Sequence, residues 1–379
     1  MKIKKMNILY ISKLDWFWTK QRPQHIVENL AISNKVDFFS IRPWRNNKNI
    51  VISHDVNNKD TKKSIININS NLSVYRKRVS PKRESFLGEA LSDFLVRRYV
   101  KSLINSNDYD IIICSLPHHH KYLPKNNNIP IIYDCMDDQV KISNSPEKAS
   151  AEEKALLKKV DYVVTSSDYI KEQLIKRYSF DKNRIDVINN AAEVKRFSEG
   201  YSEQSTESKI IGYVGSIDKW LDLEGIIYVA SSLIDYNFKF YGPISKSMIN
   251  KIKSVPNNVE FCGSIPYENV PSLVNSFDVA LMPFCNDKIV LAVNPVKIYE
   301  YLAMGKKVIA NEYSETKKFG TLIKTYKSNN DFLMKLKQSL VEKDTQEIID
   351  KRLEFAKENT WYSRASMIEK ICLNLMKEV

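Results

Sequence analysis

No apolar run in this chain approaches the roughly 18 residues that a helix needs to span a bilayer, so the sequence holds no candidate membrane span. No glycine stands in the loop after the first apolar stretch, KLDWFWTKQRPQH (13–25). The glycine-rich fingerprint of a nicotinamide enzyme is therefore missing from the place where it would sit. The cysteines (Cys114, Cys135, Cys262, Cys285 and Cys372) are odd in number, scattered and without metal-binding spacing. That argues against a zinc site and for reduced thiols in a cytosolic setting. Three adjacent histidines, His118, His119 and His120, do not converge on one metal from an extended backbone, because neighbours point apart. The basic start, MKIKKMNILYIS, has a short apolar part and no small-residue cleavage site, and reads as a first strand rather than a signal peptide.

What is present suggests two domains, each large enough for its own core, in 379 residues with 43% hydrophobic content. Net charge is +13. Nucleic acid, an anionic membrane surface and an anionic substrate compete to explain it. There is no nucleic-acid motif and no arginine-rich tail, so a basic surface facing a membrane is the preferred reading. A chain rich in Asn, Ile and Lys also follows from genomic base composition, which weakens any use of the charge. Strongly basic residues 72–83 lead into a predicted helix over 84–105, a candidate membrane surface beside the blander reading of a core helix with a solvated loop.

Apolar runs alternate with helical periodicity along both halves. Predicted strands are MNILYIS (6–12), VDFFSI (36–41), DIIICSLP (110–117), IPIIYDC (129–135), DYVVTSS (161–167), KIIGYVGSI (209–217), FKFYGPI (238–244), VEFCGSI (259–265), VALMPF (279–284), KVIANEY (307–313) and TLIKTY (321–326). Helices are expected between them, including one after 244, with another through about 343 and a last one near 360–377. In doubly wound sheets, ligands bind where strands end. The loop 13–25 offers Trp16 and Trp18 for stacking on sugar faces, Arg22 to fork onto a phosphate, and His25. Asp134, Asp137 and Asp138 end another strand, where Asp137 or Asp138 suits a general base on an acceptor hydroxyl. A helix cap or salt bridge is the blander account.

The segment NPVKIYEYLAMGKKVIA (294–310) carries the most chemistry. Asn294 suits an N-cap and Pro295 a first turn, and Gly305 ends the helix. Lys297 and Glu300 stand three residues apart on nearly one face. A cation and a carboxylate at a helix start suit a phosphate plus a sugar diol, and an ordinary Lys/Glu pair is the competing account.

This segment resembles the nucleotide-sugar site of GT-B glycosyltransferases, family 4 in particular. The strings W…RPQH, YDCMDD and GYVGSIDKWLDLE resemble the teichuronic-acid and capsular polysaccharide subgroup. The resemblance implies two doubly wound Rossmann-like α/β domains facing across a cleft. An acceptor domain would cover 1–197, a nucleotide-sugar domain 209–358, and a helix over 359–379 would cross back. It implies that Glu300 holds the donor ribose and Lys297 lies near the diphosphate. Gly215 would end its strand at the donor, and the turn from Ser264 and Ile265 to Tyr267 would cradle the base by backbone contacts. Asn286 and Lys288 would face the donor sugar, and a histidine such as His119 would line the cleft. Trp16, Trp18, Arg22 and His25 would make acceptor-side contacts.

The chain departs from the family pattern at Ala292, where many members carry a second glutamate, and at Ser216 and Leu221, where an arginine and a lysine are common. Lys219 is the nearest substitute cation. The implied activity is transfer of a sugar from a nucleotide diphosphate donor, UDP by preference, to a lipid-linked or polysaccharide acceptor in bacterial cell-surface glycan synthesis. No metal or other cofactor is implied, and no nucleic acid. The location would be cytoplasmic, peripheral to an anionic inner membrane surface. A non-hydrolysing nucleotide-sugar epimerase and a catalytically degenerate glycosyltransferase partner are the alternatives.

Overall fold

The computed structural model describes residues 5–12, 14–42, 62–79, 86–124, 128–200, 208–285, 287 and 289–378. Asn286 and Lys288 lie outside the described residues, as do residues 43–61, the end of the basic stretch (80–83) and residues 201–207. The chain divides into two compact units, Met1–Asn189 with Trp361–Val379, and Asn190–Thr360.

The first unit runs β1 (Asn7–Ser12), α1 (Arg22–Leu30), β2 (Lys35–Arg42), β3 (Ile65–Asn67), β4 (Leu72–Arg78), α2 (Phe86–Ser106), β5 (Ile111–Cys114), β6 (Ile131–Cys135), α3 (Gln139–Ile142), α4 (Pro146–Leu157), β7 (Tyr162–Thr165), α5 (Asp168–Tyr178) and β8 (Ile185–Val187). Its sheet has the order β3-β4-β2-β1-β5-β6-β7-β8. Every pairing is parallel except β3 with β4. Strands buried on both faces have no solvent side to alternate with. That is why β5 and β6 are continuous apolar or buried runs, IIIC and IIYDC. Ser167 caps α5 by accepting from the Ile170 N–H, and Ser179 closes that helix in the left-handed region.

The second unit runs α6 (Val194–Glu199), β9 (Ile210–Val214), α7 (Leu223–Ser232), β10 (Asn237–Tyr241), β11 (Val259–Gly263), α8 (Val270–Asn275), β12 (Val279–Met282), α9 (Val296–Leu302), β13 (Val308–Asn311), α10 (Ser314–Lys317), β14 (Lys324–Tyr326), α11 (Asn329–Val341) and α12 (Gln346–Glu358). Its six strands are ordered β11-β10-β9-β12-β13-β14 and pair in parallel throughout. Residues 190–197 group with this unit rather than the first. Asn190 is bonded to Asn294, Ala192 bridges Thr360, and α6 packs on α8.

The chain then returns to the first unit as α13 (Trp361–Glu378), which packs on α1. Trp361 and Cys372 are buried there. Glu369 accepts from Asn34 Nδ2 at 2.6 Å and Ser33 Oγ at 2.9 Å.

The structure adds strands that the sequence expectation lacked, β8 and above all β4, which takes the first half of the basic stretch 72–83 into the sheet beside β2. Two other differences concern helices. Between β10 and β11 there is a 3₁₀ turn over Lys251–Ser254 instead of an α-helix. Ser245 and Ser247 both donate to Asp218 Oδ1 (2.9 and 3.2 Å), and such side-chain bonds compete with helix formation. Conversely, α12 was not expected, because its apolar face is narrow. Only Arg352 and Ala356 are buried, and Arg352 donates to the carbonyls of Gly305 and Leu322 at 3.0 Å each.

Candidate active site

In the second unit the strand order reverses between β9 and β12, so the switch point of the sheet lies at their carboxyl ends. The turns after β9, β10 and β11 are joined there. Gly215 N–H donates to Tyr241 O and Gly242 N–H to Gly263 O, each at 2.8 Å. Gly242 has φ +148, and a Cβ on it would lie 1.9 Å from the Gly215 carbonyl, so only glycine fits this close approach. The helix α9 follows β12, and its Tyr301 hydroxyl accepts the Val214 N–H at 2.9 Å. That bond holds α9 against the end of β9, beside Gly215.

On α9, Lys297 Nζ and Glu300 Oε2 are 2.6 Å apart, with 24% and 4% of their side chains exposed. Burial pushes the Glu300 carboxyl above its ordinary range, Lys297 pulls it back, and Glu193 pushes it up again. Tyr267 hydrogen-bonds toward the same pair of carboxylates, and burial with those charges raises its phenol well above its ordinary value. Arg196 lies over the Tyr267 ring at 4.8 Å and 3.7 Å from Glu193. Glu193 and Arg196 were missed in the sequence, and Tyr267 was expected only for the backbone of its turn, not for its side chain. They come from the crossover and the turn after β11, and no spacing links them to Glu300.

The other expected donor residues fall as follows. Ser264 is exposed and Ile265 half-buried in the turn after β11. Lys219 is exposed in the turn after β9, and its N–H donates to Asp218 Oδ1 at 2.7 Å. Ala292 is buried in a 3₁₀ turn just before α9. Asn294 is a correction. The N-cap of α9 is Pro295, without a side-chain cap. Asn294 is buried; its Oδ1 accepts from Asn190 N and its carbonyl from Asn190 Nδ2, both at 2.8 Å, while its Nδ2 donates to Glu315 at 2.9 Å. It pins the incoming chain to α9 and α10, with both ends of its side-chain amide bonded within the second unit.

In the first unit the loop after β1 is largely committed to the fold. Trp16 packs edge-on against Phe38 with centroids 5.0 Å apart, and Trp18 is half-buried. Arg22 is a second correction. Its Nε pairs with Asp134 at 2.9 Å and its Nη1 donates to Ile188 O at 2.8 Å, both side chains being buried. His25 is a third, being buried and stacked on Trp361 at 4.7 Å with an interplanar angle of 3°. Both face inward because the sheet supplies a buried carboxylate and α13 supplies an aromatic cover.

Asp138 caps α3 and binds Arg177, with Nη1 to Oδ1 at 2.7 Å, which corrects its reading as a base. Asp137 is exposed at the same edge. His119 is buried against Tyr122, and His120 is half-exposed. His118 is held between Glu152 at Nδ1 and Asp93 at Nε2, both at 2.8 Å. Glu89, Asp93 and His118 are close enough to share an ion, yet Lys148 and Lys121 already neutralise the carboxylates at 2.6 and 2.9 Å. The cluster is a salt-bridge network.

Beneath this edge, Glu153 of α4 is buried and accepts from Tyr133 Oη at 3.2 Å. Burial raises its carboxyl from 4.5 to about 7, against the pull of the Tyr178 and Tyr133 hydroxyls. A raised carboxyl favours the folded chain below its unfolded pKa, and that contribution disappears as pH rises through about 7. The difference amounts to on the order of 3 kcal/mol. Glu153→Gln is therefore expected to raise the melting temperature at pH 8 and change it little at pH 5. A variant that destabilises equally at both pH values refutes this.

Two family models match the sequence: Glycosyltransferase Family 4 over residues 50–196 and Glycosyl transferases group 1 over residues 208–343. The chain thus carries both of these glycosyltransferase domains, one on each doubly wound unit, and its fold is that of the GT-B glycosyltransferases. It is 25% identical over 206 residues to TuaH of Bacillus subtilis (strain 168), provisionally named a teichuronic acid biosynthesis glycosyltransferase. That match covers 50% of this chain and spans about half, 52%, of the relative. Sucrose-phosphate synthase from Thermosynechococcus elongatus has a similar structure, with a TM-score of 0.75 at 15% identity over 99% of this chain and 100% of that one. So does Anabaena HepE in complex with UDP, with a TM-score of 0.69 at 13% identity over 97% and 100%. HepE has also been crystallised with UDP and glucose. At such identities the structural likeness speaks for the fold alone.

Proposed function

We propose that this protein transfers a sugar from a nucleoside diphosphate, with uridine as the base, to a hydroxyl of a lipid-linked or polysaccharide acceptor. The observation that carries the reading is the buried Glu300 carboxylate, held by Lys297 at 2.6 Å beside the switch point of the second unit. A carboxylate so placed accepts from the two hydroxyls of a ribose. Lys297, shifting from Glu300 toward the phosphates, offsets diphosphate charge, with Lys219 as a second cation. Charge developing on the leaving diphosphate is stabilised by these side chains, and the proposal calls for no resident metal. The uridine assignment draws on HepE, which was crystallised with UDP, and the cell-surface glycan assignment on the name of TuaH. Asp137, exposed after β6, is the carboxylate assigned here to an acceptor hydroxyl in the first unit. The reaction would take place on the cytoplasmic face of a membrane, where lipid-linked acceptors are presented.

The test is thermal stabilisation of the full chain against UDP, GDP, ADP and a panel of their sugars. A UDP-specific rise in melting temperature that grows with ligand concentration is expected, and linkage converts it into an affinity. If no nucleotide raises the melting temperature, the donor reading fails and the degenerate-partner alternative replaces it. Acceptor-free isomerisation of a UDP-sugar would point instead to an epimerase.

A further inference from the structure

The solvent-facing stripe of α2 has an unusual order. A helix packed on one side of a domain normally turns polar residues to water. Here Leu87, Leu91 and Phe94 are 78%, 51% and 60% exposed, and they recur at helical spacing for two turns. The same stripe continues as Arg97, Arg98 and Lys101, all exposed. The opposite face carries Val96, Val100 and Leu103, which are buried, so the helix is anchored in the first unit and its stripe is fixed in place. Of the acidic side chains of α2, Glu89 lies off the stripe, and Asp93 lies at its edge one turn before Arg97. Asp93 binds His118, Lys121 and Tyr122, and Glu89 binds Lys148.

A cavity of about 420 Å3 adjoins the junction of the apolar and basic segments. Phe94, Arg97, Lys121 and Lys159 line it, with Asp93 and His120. Lys159 also donates to the carbonyls of His120 and Leu123, at 2.7 and 3.3 Å. The cavity therefore brings Arg97 and Lys159 directly beside exposed apolar side chains, with Lys121 paired to Asp93. None of the described helices is long and apolar enough to cross a membrane.

We propose that the exposed stripe of α2 docks the protein on an anionic phospholipid surface, with Leu87, Leu91 and Phe94 in the acyl boundary and Arg97, Arg98 and Lys101 against headgroup phosphates. The charge order selects this occupant. An apolar segment continuing into three exposed side chains of positive charge matches the interface of an anionic bilayer, where apolar burial and attraction to lipid phosphate act together. The cavity beside Phe94 and Arg97 accommodates one such phosphate group. This inference rests on the reading that the acceptor is met at a membrane, but its test needs neither nucleotide nor acceptor.

The experiment is flotation of the full chain with vesicles of phosphatidylcholine alone and with about one third phosphatidylglycerol. The wild type should float with the anionic vesicles, less so as salt rises, and not with the neutral ones. Arg97→Gln, Arg98→Gln and Lys101→Gln together should weaken partitioning by about 100-fold. Leu87→Ser, Leu91→Ser and Phe94→Ser together should leave only a weak, salt-sensitive association. Both variants change exposed side chains and should keep the wild-type melting temperature and its response to UDP, which separates this result from the donor reading. The proposal is overturned if the wild type ignores anionic vesicles, or if both variants float as it does. It is also overturned if sedimentation shows a dimer that the serine variant dissociates in the absence of vesicle binding, because the stripe would then be a contact between copies.

Discussion

Asp134→Ala is expected to lower the stability of the first unit by about 3–5 kcal/mol, the cost of breaking one side of a buried ion pair. Asp134 sits at the end of β6 and is fully buried. It accepts from Arg22 Nε at 2.9 Å and from Tyr10 Oη at 2.8 Å. Arg22 also donates to the carbonyl of Ile188. The three side chains thus join β1, α1, β6 and the exit of β8. Removing the carboxylate leaves a guanidinium inside the protein without its counter-charge and a tyrosine hydroxyl without its acceptor. The intact pair is not thereby worth the same amount, since ionising both groups in the interior has its own desolvation cost. The double variant Arg22→Met with Asp134→Ala should accordingly lose less than the sum of the two single changes. Urea unfolding followed by a first-unit probe such as Trp16 fluorescence measures this. A loss under about 1 kcal/mol for Asp134→Ala would mean that the site relaxes or hydrates.

Glu300→Ala should have the opposite profile, abolishing donor response while leaving the fold intact. Glu300 is a desolvated carboxylate whose pKa is raised by burial and by Glu193, so its ionised form is costly to the folded chain. Its partner Lys297 remains partly exposed and rehydrates when the carboxylate is removed. The melting temperature without ligand should therefore change little or rise. Hydrogen bonds to a charged group contribute about 1.5–3 kcal/mol each. A carboxylate serving two hydroxyls then accounts for at least about 100-fold in donor affinity. Loss of the UDP-dependent thermal shift, together with a fall of similar size in kcat/KM for a UDP-sugar, is the expected pair of results. Glu300→Gln, which keeps one acceptor, should fall between. Retention of the full shift by Glu300→Ala would place the donor elsewhere and reduce the Lys297–Glu300 pair to an ordinary helix contact.

A preorganised but desolvated carboxylate beside a strand-end site has its stability penalty and its use in one group. Arg22 and Asp138 show the reverse. Each looks reactive in one dimension, and each is consumed by a partner that folding brings to it.

The sequence alone determined much of the architecture. Parallel strands buried on both faces must be continuous apolar runs, so IIIC, IIYDC, IIGYV and VALM mark the sheets without any contact information. The pair Lys297 and Glu300 was equally legible, because residues three apart on a helix are neighbours by geometry. The GT-B resemblance rested on the same local strings.

Tertiary structure decided what lies across the chain. Spacing placed Arg22 at a strand-end loop, but only the position of β6 brings Asp134 to it. Spacing made Asn294 a cap, but only the crossover brings Asn190 to its amide. Nothing local predicts that Tyr267 and Glu193 meet Glu300 with Arg196 beside them, or that α2 turns Leu87, Leu91 and Phe94 outward. Local periodicity reports which residues share a face. Which face is desolvated, and which distant charge meets it there, depends on packing between elements, and so it appears only in the folded chain.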